Sequence, residues 1–204
     1  MRNTVLFVIC FLAVSRAYSQ DYARKPYASI HYYAESILGS QIVSDKEDVN
    51  VRSGKLYYYK ELDLNGSYVH VSGGYMGDYY LSMWKMENGN DLIGVTHFNC
   101  QPFCVYECSF FEYSKDDSTE VSKDILPVGK MVKHMNKIAA KVKSIKPDVS
   151  EDNPQFKFIL PHDQGVLGLY ISMNKNQIEF PIMDLKWTGT KFSIVTKYKE
   201  IPAL

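Results

Sequence analysis

Tyr79-Tyr80-Leu81-Ser82-Met83-Trp84-Lys85-Met86-Glu87-Asn88-Gly89-Asn90-Asp91-Leu92-Ile93-Gly94-Val95-Thr96-His97-Phe98 is the stretch that decides the fold. Two runs rich in aromatic and β-branched residues flank an Asn-Gly pair, which accepts the positive φ angles that a tight hairpin turn demands. The stretch reads as a β-hairpin, and the chain around it keeps the same texture. Upstream, Leu56–Leu62 and Tyr68–Val71 flank a turn at 63–67, and glycines at 73, 74 and 77 mark another. Downstream, Ser109–Tyr113 and Thr119–Val121 predict a second hairpin across 114–118. Four more strand-like runs follow at 155–160, 166–173, 177–185 and 191–197, with turns at 174–176 and 188–190.

Two segments carry the helical period instead. In Tyr27–Leu38, Ile30, Tyr33, Ala34, Ile37 and Leu38 recur at three- and four-residue spacing, and Gly39 follows as a stop. Val128 to Ile145 places Val128, Met131, Val132, Met135, Ile138, Ala139, Val142 and Ile145 in one apolar stripe between Pro127 and Pro147. Its polar side carries Lys130, Lys133, Lys137, Lys141 and Lys143 and no acidic residue. Basic amphipathic helices can lie on membranes or nucleic acid, but this stripe lacks the Trp or Phe that sinks into a lipid interface. The favoured reading is a helix packed on a sheet. Residues 40–54 read as a polar loop. The class is α+β, mainly antiparallel hairpins with an N-terminal helix and an amphipathic helix at about 128–145 packed on the sheet.

The N-terminus predicts an address. Met1-Arg2-Asn3 precedes an apolar run from Thr4 to Val14, then small residues at Ala17 and Ser19. This is the pattern of a secretory signal peptide, residues 1–19, cut before Gln20. The apolar run is about 11 residues, against the roughly 20 a spanning helix needs. Export to a periplasmic or extracellular space is expected, with no stable membrane insertion after cleavage. The remaining chain divides at the polar, proline-bearing segment 147–154 into a region 20–146 and a β-rich region 147–204, packed as one unit. The full chain holds 23 basic and 23 acidic residues; losing Arg2 and Arg16 leaves a net charge of −2. That balance does not point to nucleic acid.

After Cys10 leaves with the signal peptide, Cys100, Cys104 and Cys108 remain, all within nine residues of one another and just downstream of His97. Along a straight strand, residues four apart lie about 13 Å from each other, too far for a disulfide. Pro102 favours a turn, so a Cys100–Cys104 bridge is the first choice, with Cys108 left as a free thiol. Cys104–Cys108 and Cys100–Cys108 pairings stay open. A set of simply buried thiols is the second choice, and a zinc site from His97, Cys100, Cys104 and Cys108 ranks below both, because oxidising compartments favour pairing and the spacing differs from the common fingers.

Tyr57, Tyr58, Tyr59, Tyr68, Tyr75, Tyr79, Tyr80 and Trp84 crowd some thirty residues. Exposed rings bind sugars and peptides, so Tyr58, Tyr80 and Trp84 are candidate ligand-binding residues, although about half of the rings on any strand face a core. Glu61, Asp63, Asp78 and Glu87 sit beside turns, where a solvated carboxylate is ordinary. No nucleophile elbow, zinc-protease helix, phosphate loop or EF-hand loop occurs, and no catalytic residue or cofactor is assigned. Asn65-Gly66-Ser67 matches a glycosylation sequon but reads more simply as a turn.

Trp84, Gly94-Val95, Cys100-Gln101-Pro102-Phe103-Cys104, the Phe110–Tyr113 strand and Asp184-Leu185-Lys186-Trp187-Thr188-Gly189-Thr190-Lys191-Phe192 together resemble small uncharacterised secreted proteins of Bacteroidota. The resemblance implies export and no particular activity. The expectation is an exported, non-enzymatic binding or envelope-associated protein with an unknown protein or glycan partner. The alternative is a carbohydrate-binding or carbohydrate-active protein using the Tyr57–Trp84 aromatics, and a third class is a thiol or zinc protein at His97 and the cysteines.

Overall fold

Seven strands follow one another across the first sheet in chain order: β1 (Ile42–Val43), β2 (Tyr57–Leu62), β3 (Tyr68–Ser72), β4 (Asp78–Lys85), β5 (Asp91–Cys100), β6 (Cys104–Tyr113) and β7 (Ser118–Glu120). All neighbours pair antiparallel except β1, which runs parallel to β2. The second sheet has four antiparallel strands: β8 (Gln155–Ile159), β9 (Val166–Met173), β10 (Ile178–Trp187) and β11 (Phe192–Lys197). Helix α1 (Ile30–Leu38) precedes the first sheet, and α2 (Ser122–Ile125) and α3 (Val128–Ile145) connect the two. This computed structural model describes residues 29–44, 46, 49, 55–63, 67–73, 76–100, 104–114, 117–145, 155–162, 165–173 and 178–199. The expected signal peptide, the Asn65 sequon and the segment 147–154 lie outside the described residues.

The α+β class holds, and the hairpin that decided it is present in register. Tyr79 pairs His97, Leu81 pairs Val95, and Trp84 pairs Leu92 around a turn in which Gly89 takes φ 85°. Strand alternation then sorts the residues onto two faces, and in the centre of the sheet both faces are apolar. Leu81, Ile93, Val95 and Tyr113 join Val69 and Val71 under α1, which contributes Ile30, Tyr33 and Ala34. Gly39 ends that helix in the left-handed region, at φ 59°. Trp84, Leu92 and Phe110 point to the opposite face. There they meet Leu167, Leu169, Ile171, Phe180, Leu185 and Phe192 of the second sheet and Met131, Ile138 and Val142 of α3.

Pro181 stands inside β10, a central strand, where its missing N–H would ordinarily break the ladder. A bulge between Pro181 and Met183 accommodates it and lets the consecutive Ile182 and Met183 both be fully buried. Polar contacts also fasten the sheets to each other: among them, Ser82 Oγ donates to Pro161 O at 2.6 Å, Trp187 Nε1 to Lys85 O at 2.9 Å, and the Glu87 amide to Gly189 O at 3.0 Å.

Helix α3 buries its stripe and exposes Lys130, Lys133, Lys137 and Lys141, as the period predicts. The structure corrects two local expectations. The 40–54 segment is not all loop, because Ile42 and Val43 pair with Tyr57 and Tyr58 as a short edge strand. A single helical turn, α2, also precedes α3; Ser122 Oγ there accepts from the Phe110 amide at 2.9 Å and donates to Glu120. Among the described residues, no helix is long and apolar enough to cross a membrane.

Candidate functional site: a histidine–tyrosine face

On β3, Val69 and Val71 fill the α1-side core, so Tyr68, His70 and Ser72 project from the other face. On β4 the partners of these three are Ser82, Tyr80 and Asp78. His70 and Tyr80 are thus directly opposed, and their rings stack with centroids 4.2 Å apart and planes 21° off parallel. Asp78 Oδ2 lies 3.5 Å from His70 Nε2 and 3.1 Å from Lys60 Nζ of β2. The first distance is an ion-pair separation and leaves Nε2 without a well-formed hydrogen bond. A second stack adjoins the first. Tyr68 lies 3.9 Å from the ring of His162, whose Nδ1 is 3.1 Å from Glu61 Oε1, and Glu61 is itself the register partner of His70.

The electrostatics of this face separate its members. Burial raises the Asp78 pKa, but hydrogen bonds from Ser72 and Lys60 and the nearby positive charges outweigh it and hold the carboxyl below its ordinary range. Burial lowers His70, against the opposing pull of Asp78. Burial, helped by Glu61, pushes Tyr68 up to about 12, and Tyr80 is raised by burial and by Asp78. At neutral pH the Asp78 carboxylate thus lies beside the neutral His70 imidazole and the Tyr80 phenol, while Tyr68, 5% exposed, is covered by His162. Asp78 and Lys60 can exchange hydrogen bonds at the edge of this face.

The same three-part unit recurs twice outside this face. His97 stacks on Tyr79 at 4.3 Å, lies 3.6 Å from Glu107 and bonds Met76 O at 2.8 Å. His31 touches the Tyr59 hydroxyl, packs its ring 5.3 Å from that of Tyr59 and lies 3.6 Å from Glu35. Four of the five histidines thus sit between a tyrosine ring and a carboxylate. The fifth, His134, bonds Ile182 O at 3.0 Å.

The candidate residues read from sequence are scattered relative to this face. Tyr80 belongs to it. Tyr58 is half-buried and pairs with Ser72, in the same row as Asp78. Trp84 must be removed from the ligand-binding set: it is 0% exposed, with Phe110 and Phe192 rings 6.0 and 5.3 Å away. Position 84 lies where the second sheet covers the first, so its ring is core.

Cys108 is half-buried opposite Thr96, and burial pushes its thiol far above the ordinary value, which makes it a poor nucleophile. His97 pairs with Glu107, one residue away on each strand, so His97 and Cys108 belong to opposite faces. Cys100 and Cys104 are register partners at the end of the β5–β6 hairpin; their side chains lie outside the described set. Among the described residues, no group of three or more His, Cys, Asp or Glu is arranged to hold a metal ion.

Sequence reasoning missed His70, Lys60 and His162 and dismissed Glu61 and Asp78 as solvated turn residues. For His70 and Asp78 a signal existed, since strand alternation around Val69 and Val71 and the turn at 73–77 set them on one face. His162 arrives from a loop remote in sequence and carries no local signal.

No family model matches the chain, and no curated protein matches it. Among solved structures, a similar one is titled "Structure of a domain of an uncharacterized protein from Porphyromonas gingivalis W83". It covers 80% of this chain and 93% of its own length at 12% identity, with a TM-score of 0.45. Similarity at that level carries no argument about function.

Proposed function

We propose that the chain is an exported, non-catalytic binding protein whose contact surface is the histidine–tyrosine face of β2, β3 and β4. The observation that carries this reading is the His70–Tyr80 stack with its attendant Asp78 and Lys60. Lys60 and Asp78, 39% and 22% exposed, bring an ammonium and a carboxylate to the open edge of this stack, where they can meet polar groups of a partner. Sugars and polar peptides match that chemistry. The narrower reading, carbohydrate binding, now rests on Tyr58 and Tyr80 without Trp84. A glycan array tests it: the intact protein should bind saturably, with Tyr80→Ala and His70→Ala abolishing the signal. Signal that survives both substitutions would move the site elsewhere, and no signal above background would remove the sugar reading.

Export and the cysteine bridge belong to the same proposal. Directly opposed residues in an antiparallel pair have Cα atoms about 4.5–5.5 Å apart, within the range a disulfide spans. The Cys100–Cys104 register therefore supports a staple at the hairpin end, with Cys108 as the leftover thiol. Intact-mass analysis with and without reduction should find Gln20 as the first residue, one bridge and one alkylatable thiol after unfolding. Three free thiols would overturn the staple.

A further inference from the structure

The flank of α3, where its buried and exposed faces meet, and the segment just after β11 border an open groove of about 330 Å³, lined by His134, Lys137, Ile138, Lys141 and Lys199. Three of these five residues are lysines and none is acidic. Lys141 Nζ donates to the Lys199 carbonyl at 2.9 Å, which ties the segment after β11 to the helix and fixes the groove's width. His134 is 9% exposed and bonds Ile182 O at 3.0 Å through Nε2. A carbonyl only accepts, so Nε2 carries the proton and Nδ1 is the ring nitrogen left over.

The charge pattern of the helix is unfavourable for a helix alone. Lys133, Lys137 and Lys141 repeat every four residues and Lys130 precedes them at three, all exposed, and residues 128–145 contain no carboxylate. Like charges at that spacing weaken a helix, and a lysine in the first turn opposes the helix dipole. The whole chain has equal basic and acidic totals of 23 each, so this one-signed helix is a local concentration and not a reflection of composition. An anion seated among the lysines relieves the repulsion.

We propose that the groove is a binding site for a phosphate group, carried either on a small molecule or on a lipid headgroup. Lys137, Lys141 and Lys199 supply the point charges that suit a phosphate, and Ile138 supplies an apolar wall for the body of the ligand. The volume is at the small end for ligand pockets, which suits one phosphate-bearing group and not an extended polymer. The site is separate from the histidine–tyrosine face and does not depend on it.

Titration calorimetry of the full protein with pyrophosphate, and co-sedimentation with phosphatidylcholine vesicles containing phosphatidylglycerol, test the assignment. Binding in at least one assay should weaken roughly tenfold in Lys137→Gln/Lys141→Gln. It should change less than about twofold in Lys130→Gln/Lys133→Gln, which removes equal charge outside the groove. Pyrophosphate binding assigns a soluble phosphate; vesicle binding without it assigns a headgroup. Lys199→Gln, which leaves the helix sequence intact, provides a second reading should the double variant unfold at a lower urea concentration. No binding in either assay, or equal losses in the two double variants, would overturn the site.

Discussion

Gly94 lies on β5 between the rings of Trp84 and Phe110, and replacing it by alanine tests the account of the main core most directly. A Cβ at that position would stand 2.9 Å from Phe110 Cε1 and 2.9 Å from Trp84 Cζ3, where ordinary contact begins at 3.4 Å. The overlap is thus about half an ångström on two sides at once. Neither ring can simply withdraw, because Phe192 lies behind both, at centroid distances of 5.3 Å from Trp84 and 5.2 Å from Phe110. Overpacking of this kind costs about 1–3 kcal/mol. For a domain of this size, a loss of about 2 kcal/mol lowers Tm by roughly 4–8 °C. Gly129 supplies the control: it sits exposed in the first turn of α3 with nothing within 4 Å of its added Cβ, so Gly129→Ala should stabilise by about 0.5–1 kcal/mol. Urea and thermal unfolding of both variants give the comparison. Making Phe110 smaller in the Gly94→Ala background, with Phe110→Leu, should cost less than the same change alone. A Gly94→Ala protein within about 0.5 kcal/mol of the parent would refute the packing described between the sheets.

Two further outcomes follow from buried tyrosines. Tyr33 donates to Asp91 Oδ2 at 2.6 Å in the α1-side core, where Asp91 is 3% exposed and is also paired with Lys85. Tyr33→Phe should cost about 1.5–3 kcal/mol in urea unfolding, and an unchanged midpoint would mean that this bond contributes nothing. At high pH the relevant groups are Tyr68, raised to about 12, and Tyr33, Tyr59 and Tyr79, raised in the same direction chiefly by burial. Because the folded protein holds these protons more tightly than the unfolded chain, their contribution is complete below pH 10 and drains away as pH rises from 10 through about 12. Unfolding midpoints followed across that window should fall; a flat profile would contradict the burial of the phenols.

The elements that were legible in sequence are those whose pattern is long. Twenty residues around Asn88-Gly89 established the β4–β5 hairpin, and an eighteen-residue stripe established α3. Ile42–Val43 and Ser122–Ile125 escaped because two and four residues hold too little period to read, and both are fixed by partners elsewhere. Trp84 was misplaced for a different reason. Alternation says that Trp84 and Leu81 face opposite ways, but not which face is left open, and here the second sheet and α1 cover both. The histidine–tyrosine face was hidden by the same gap between local and tertiary information. Its stacks need strand register for His70 and Tyr80, and for His162 a loop that follows β8.

The sequential order of the first sheet also bears on how the chain reaches its structure. From β2 to β7 each strand pairs with the one before it across a short loop, so those steps cost little entropy; β1 alone joins through a longer segment, 44–56, and pairs parallel. The α1-side core draws on residues 30–113 alone, whereas Trp84 and Phe110 must wait for Phe192, Leu167 and Phe180. A chain growing from its N-terminus therefore completes one face while the other, carrying Trp84, Leu92 and Phe110, has only α2 and α3 to cover it until the last four strands exist. That interval is when the protein is most exposed to aggregation, and any truncation beyond α3 makes the interval permanent.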